Sequence, residues 1–174
     1  MALIRYPILQ YAYVVTDIEA ACMEWVKLIG AGPFFLSMHH ESPDHFYRGE
    51  PSQADLSYAF GQAGPAHIQL IEQHNDAPSV YREVVAAGDA GFHHFAILPD
   101  DFMAEKARFE AAGYEAVTTL TSAARVAYMD TRRTLGCFVE LYENNAPLRE
   151  TFAMWKAVHE EWDGVTDPIR PSES

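Results

Sequence analysis

Four polar side chains stand inside strand-like apolar runs of this 174-residue chain: Gln10 in Gln10–Val15, Gln69 in His67–Gln73, His94 in His94–Leu98 and Glu140 in Cys137–Glu143. Burying such a group without a partner costs about 1–3 kcal/mol, so four of them require a common cause. An imidazole, a carboxylate and two amide oxygens could together hold a divalent metal ion. A carboxylate beside such an ion can remove a proton next to a carbonyl group. His94 and Glu140 could instead pair with each other in a metal-free pocket. Each reading requires that the four side chains meet.

Side chains of a strand alternate between its two faces. Gln10 therefore shares a face with Ala12 and Val14, His94 with Ala96, Gln69 with His67 and Ile71, and Glu140 with Tyr142. On the same rule His93 points away from His94 and reads as a core histidine.

The elements that would bring these faces together repeat along the chain. The strand starting at Gln10 runs into Thr16-Asp-Ile-Glu19, a capping box that opens a helix anchored by Trp25 and closing near Gly30 and Gly32. An offset of 84 residues leads to the same succession: the strand starting at His94, a cap at Asp100, an aromatic anchor at Phe109 and a close at Gly113. Three strand-like runs follow each helix: 33–40, 53–60 and 67–73, then 114–120, 125–130 and 137–143. The closing runs are offset by only 71, so the second half lacks about a dozen residues, assigned to the loop His39–Gln53.

The pattern predicts an α+β fold of two βαβββ modules, residues 7–74 and 91–145, forming a half-barrel cavity within one domain of residues 1–174. A linker, 75–90, carries a short helix near 79–87. A C-terminal amphipathic helix, 146–162, bears a stripe of Leu148, Phe152, Trp155, Val158 and Trp162, and a frayed tail, 163–174, ends the chain. A pseudo-two-fold axis between the modules would set Gln10 against His94 and Gln69 against Glu140.

Composition narrows the partners. A formal charge of −13 disfavours nucleic acid and anionic membrane surfaces. No run approaches the roughly 20 apolar residues of a membrane span, and the N-terminal residues lack the pattern of a secretory signal, so a cytoplasmic location is expected. Cys22 and Cys137 both fall in apolar patterns and read as buried thiols.

With these residues in place, the segments Ile68-Gln69-Leu70, Gly91-Phe92-His93-His94-Phe95-Ala96 and Phe138-Val139-Glu140-Leu141, following a strand–cap–helix unit, resemble the vicinal oxygen chelate superfamily. The resemblance spans about residues 7–145 and is strongest to members of the glyoxalase I and methylmalonyl-CoA epimerase kind. It implies a divalent metal (Mn, Mg, Co, Ni or Zn) held by Gln10, Gln69, His94 and Glu140, with Glu140 also the catalytic base. Glutamine at position 69 matches the epimerase-like variant. Gln10 stands where histidine is usual, and an amide oxygen is a weaker, neutral donor; His67, on the face of Gln69, could replace the missing imidazole.

The implied activity is that of an isomerase or lyase acting on a proton adjacent to a carbonyl of a small organic substrate. A metal-free binding protein of the resistance or sequestration kind is the alternative. Extradiol ring cleavage ranks lower, because it needs iron held by two histidines and a carboxylate. Tyr47, Arg48, His67 and Tyr142 are the candidate substrate-binding residues, and Phe34, Phe35, Tyr58 and Phe60 could form an apolar wall. His39, His40 and His45 read as a solvated or lid segment, Arg132 and Arg133 as surface. A homodimer is expected.

Overall fold

The computed structural model describes residues 2–42 and 44–172, so Pro43 and the last two residues of the expected tail lie outside the described residues. The first half consists of β1 (Ile8–Val14), α1 (Ile18–Ile29), β2 (Phe34–Ser37), the short strands β3 (Phe46–Tyr47) and β4 (Glu50–Pro51), β5 (Leu56–Ala63) and β6 (Ala66–Gln73). A single 3-10 turn, Tyr81–Glu83, stands where a linker helix is predicted. The second half is β7 (Gly91–Ile97), α2 (Phe102–Ala111), β8 (Ala116–Thr121), β9 (Arg125–Met129), the one-turn α3 (Arg132–Leu135) and β10 (Phe138–Tyr142). Helix α4 (Ala146–Glu161) and strand β11 (Ile169–Pro171) follow.

All strands join one curved, unclosed sheet in the order β11-β2-β5-β6-β1-β7-β10-β9-β8-β3-β4. The centre of that order is a mirror of sequence. β1 and β7 pair antiparallel, and each is flanked in parallel by the closing strand of its own half, β6 or β10. The duplicated βαβββ unit is therefore a structural fact, and its pseudo-two-fold axis passes between β1 and β7.

Two register shifts interrupt the β1–β7 ladder, between Ile8 and Gln10 and between Ala12 and Tyr13. Each leaves one extra residue, Leu9 on β1 and His93 on β7, and these two obey the same 84-residue offset as Gln10 and His94. A β-bulge sets two neighbouring residues opposite one and re-aims a side chain. His93 consequently does not alternate away from His94 as strict pleating predicts; it is buried beside it.

Both helices open one residue later than the box at Thr16 predicts. The caps are Asp17, whose Oδ1 accepts from the Ala20 N–H, and Asp101, whose Oδ1 accepts from the Ala104 N–H. A carboxylate at this position satisfies an otherwise orphaned backbone donor and sits at the positive end of the helix dipole. Asp101→Ala is expected to cost about 1 kcal/mol, read as a lower urea midpoint with an unchanged denaturant slope. At its other end α1 closes on Gly30 with φ +68°, a left-handed conformation that a side chain would strain.

The outer face of the sheet carries a separate apolar cluster for each half. Ile18 and Cys22 of α1 pack on Phe34, Ala59, Ile68 and Leu70, while Phe102 and Phe109 of α2 pack on Ile97, Ala127, Val139 and Leu141. The inner face carries one cluster shared by both halves, from Leu56 and Tyr58 through Ala12 and Ala96 to Tyr128, Phe138 and Tyr142. With both faces covered, every residue of β10 is buried. Both cysteines are buried and unpaired, as their apolar settings predict.

Two segments exceed expectation. The long loop after β2 crosses to the other half, where Phe46 and Tyr47 pair with Thr119 and Thr118 at the edge of β8. The tail does not fray over its described length: Ile169–Pro171 pairs in parallel with Phe34–Leu36 as an edge strand.

Candidate functional site

Register and pleat together place Gln10, Gln69, His94 and Glu140 on the inner face. Across the central strands one row runs His67, Gln10, Ala96, Glu140, Tyr128, and the row beside it runs Gln69, Ala12, His94, Phe138. The four side chains are 0–2 % exposed. All four therefore share the buried inner side of the curved sheet, its hollow, and register alone does not bring them into contact with one another.

Their partners are more particular than a ring of four. His94 Nε2 lies 3.1 Å from Glu140 Oε2, so the imidazole and the carboxylate are paired. Gln10 donates from Nε2 to His67 Nδ1 at 2.8 Å and accepts at Oε1 from the Tyr142 hydroxyl at 3.4 Å. Two buried polar atoms in this region, Gln69 Oε1 and His67 Nε2, have no hydrogen-bond partner among the described residues. Burial keeps His67 neutral by holding its pKa down at about 3.

Tyrosines from both halves and from the linker turn line the inner side. The Tyr58 and Tyr81 hydroxyls are 3.3 Å apart, those of Tyr81 and Tyr128 3.0 Å, and the Tyr128 ring stands edge-on to His94 at 4.9 Å. Desolvation, and then the nearby Glu140 carboxylate, raise the Tyr128 and Tyr142 hydroxyls well above the ordinary tyrosine value. They therefore remain proton donors at any ordinary pH. Strand alternation through Val126 and the pairing of Tyr128 with Glu140 could have pointed to Tyr128. Tyr81 comes from the linker turn, and no pattern in the sequence announces it.

The hollow is closed from the first-half side by α4, whose cap at Asn145 accepts from the Leu148 N–H. Trp155 stacks on Phe60 at 4.9 Å and 10° and on His67 at 5.2 Å and 21°. Phe152 stands edge-on to His67 at 4.6 Å and to Tyr142 at 5.9 Å. Of the four residues proposed as an apolar wall, Tyr58 and Phe60 pack with the inner cluster, whereas Phe34 belongs to the outer one.

Of the four candidate substrate-binding residues, the structure brings His67 and Tyr142 to the hollow and holds Tyr47 and Arg48 at its rim. The Tyr47 hydroxyl donates to Glu83 Oε1 at 2.7 Å. Arg48 forks onto the two Glu83 oxygens at 2.9 Å each and reaches Glu115 at 3.2 Å. Its bidentate capacity is spent on the chain's own carboxylates. Arg132 pairs with Asp130 and Glu83 and lies over the Phe138 ring at 4.6 Å, so it is partly buried. His39, read as solvated, is exposed and pairs with Asp55 at 2.8 Å.

The donor set can be tested for a metal ion on its own chemistry. No group of three or more His, Cys, Asp or Glu among the described residues could hold a metal ion. His94 and Glu140 would need amide oxygens to complete a shell, and Gln69 Oε1, buried without a partner, is an acceptor of that kind. One nitrogen and several oxygens suit a hard or borderline divalent ion. His94 and Glu140 alone are ligands of the usual kind here, so these residues fit such an ion only where amide oxygens complete its shell.

A family model described as the Glyoxalase/Bleomycin resistance protein/Dioxygenase superfamily matches residues 9–129. No curated protein sequence matches the chain. Among solved structures, methylmalonyl-CoA epimerase from Mycobacterium tuberculosis aligns with a TM-score of 0.59 and 19% identity, over 82% of this chain and 91% of that one. A variant of the Streptomyces coelicolor methylmalonyl-CoA epimerase in complex with 2-nitronate-propionyl-CoA aligns at 0.62 and 16%, over 81% and 99%. A hypothetical protein from Bacillus halodurans aligns at 0.61 and 18%, over 82% and 97%. At such identities the likeness is one of fold.

Proposed function

Because the chain belongs to the Glyoxalase/Bleomycin resistance protein/Dioxygenase superfamily, we propose that it is an isomerase-type enzyme that moves a proton at a carbon adjacent to a carbonyl. The observation that carries this reading is the His94–Glu140 pair at 3.1 Å, shut in an aromatic hollow beside amide and tyrosine groups. A carboxylate in a dry site is poised to take a proton from carbon. Neutral donors around it can stabilise the enolate oxygen that the proton leaves behind.

In this reading Glu140 takes the proton at a carboxylate oxygen and returns it to the same carbon or its neighbour. The Tyr128 hydroxyl, held protonated, offers a hydrogen bond to developing negative charge, and the Tyr142 hydroxyl can do so only by giving up its bond to Gln10. Gln10 is oriented by His67 and Tyr142 and in turn fixes the Tyr142 hydroxyl. A divalent ion, when bound by His94, Glu140 and the amide oxygens of Gln10 and Gln69, supplies positive charge for the substrate oxygen. The substrate class is a small carbonyl compound. Acyl-CoA thioesters enter the set because epimerase neighbours are bound to them.

The test is solvent exchange. Incubated in deuterated water with Mn²⁺ or Mg²⁺ and a panel of carbonyl compounds that includes methylmalonyl-CoA, the protein is expected to wash deuterium into the position next to the carbonyl. Absence of exchange throughout the panel would overturn the reading. For the metal, His94→Ala is expected to weaken Mn²⁺ binding by at least the roughly 10–100-fold that loss of an outer-shell partner costs, measured by the electron-spin resonance of free Mn²⁺.

A second reading has its own observation. Glu140 and His94 satisfy each other, and the hollow is walled by Phe60, Phe152, Trp155 and Tyr58. A metal-free protein that sequesters an apolar molecule needs no more than this. Tight binding of an apolar ligand by metal-free protein, unchanged in His94→Ala, would favour it.

A further inference from the structure

We infer that α4 is a self-occluding lid: in its closed state Trp155 and Phe152 fill the first-half side of the hollow, and His159 latches the far end of the helix to two turns of the first half. The inference rests on the hollow being the ligand site, as the proposed function has it, and adds how that site opens.

The sequence of α4 supplies one inward line. Leu148, Phe152, Trp155, His159 and the capping Trp162 follow one another at steps of four, three, four and three residues, a single stripe of a helix. Of the sixteen residues of α4 only Leu148 and Trp155 are buried. A helix held by so narrow a seam opens at a lower free energy than the core strands beneath it, and lids are drawn from such segments. It also follows the last strand of the second βαβββ unit and lies beyond residues 9–129, the stretch that the family model matches.

The seam touches the site itself. Trp155 stacks on His67, and Phe152 stands edge-on to His67 and to Tyr142, the two residues that hold Gln10. Two side chains of the helix thus take the place against these groups that the apolar part of a ligand would need. Closure and occupancy exclude each other, because an interior packed to ordinary density has no room for both.

The latch is at the other end. A carbonyl only accepts and a backbone N–H only donates, so His159 Nδ1 donates to the Gly32 oxygen at 2.6 Å and its Nε2 accepts from the Gly64 N–H at 3.2 Å. One ring therefore ties the last turn of α4 both to the turn after α1 and to the turn between β5 and β6. Trp162 rests against Gly32, where a Cβ would meet the indole at 3.2 Å. The chain can bend on either side of the helix, over residues 143–145 and 162–168, which belong to no strand or helix.

Amide hydrogen exchange on the whole protein, with binding of Nile red followed beside it, tests this without a substrate. In His159→Ala the amides of 146–161 are expected to exchange about 5–10-fold faster, the factor that a net hydrogen bond of ordinary strength carries. Those of β1, β6, β7 and β10 are expected to keep their wild-type rates. Affinity for the dye is expected to rise by the same factor, since apparent affinity follows the open fraction. His159→Asn, whose amide N–H can still serve the Gly32 carbonyl, is expected to fall between the two, and it carries the measurement should the alanine variant fail to fold. Amides of α4 that stay at wild-type rates, or that exchange only together with the core strands, overturn the inference. So does faster exchange in α4 with no gain in dye binding. Deuterium labelling of carbonyl substrates separates the two claims: a working lid on a protein that labels no substrate removes the proposed function alone, and labelling by a protein whose α4 amides ignore His159→Ala removes this inference alone.

Discussion

Glu140→Gln is expected to lower deuterium exchange at the carbon next to the carbonyl by about 10²–10⁴-fold, the range that a positioned general base contributes. The substitution preserves shape and removes the basic oxygen. Since Glu140 is 1 % exposed and faces His94, an isosteric amide should leave the fold intact, with a melting temperature near that of the wild type. Truncation of the partner differs in kind. In His94→Ala a carboxylate would be left buried and unpaired, a circumstance that typically costs 3–5 kcal/mol. The contrast separates catalysis from stability. Glu140→Gln that retains more than about a tenth of wild-type exchange, against that expected range, would move the base to another residue.

Trp155→Ala is the substitution expected to disturb the fold most. The indole is stacked face to face on Phe60 and nearly so on His67, and only 7 % of the residue is exposed. Removing so large a buried ring typically costs about 3–5 kcal/mol, part of it lost transfer energy and part the void that remains. Urea unfolding would register the loss. The void would also open the wall of the hollow beside His67, so the folded variant is expected to bind an apolar fluorescent dye that the wild type excludes. A loss below about 1 kcal/mol, well under the large-to-small range, would mean that α4 does not close the hollow. The geometry also bears on turnover: the candidate residues are shut from solvent, so a substrate can reach Glu140 only if a covering element moves, and α4 is the covering element on the first-half side.

Tyr47 and Arg48 show where local reasoning ends. Their place in a long polar loop suggested groups free to meet a substrate. The loop instead crosses to the far module, and Glu83 takes both the hydroxyl and the guanidinium. Position in a loop says nothing about which carboxylate from 35 residues away will arrive beside it. The cap at Asp17 in place of Thr16 is a smaller displacement of the same origin, decided by where β1 releases the chain.

What the amino-acid order determined by itself was the duplicated unit and the inward face of Gln10, Gln69, His94 and Glu140. Alternation along a strand and capping of a helix depend only on near neighbours, so they are written locally and survive repetition at a fixed offset. What tertiary structure alone decided was who touches whom. Inter-strand register set Gln10 on His67 and His94 on Glu140, a bulge in the pairing of β1 with β7 turned His93 inward, and docking of α4 laid Trp155 over the hollow. Each of these follows from contacts between segments far apart in the chain, whose geometry no spacing of residues encodes.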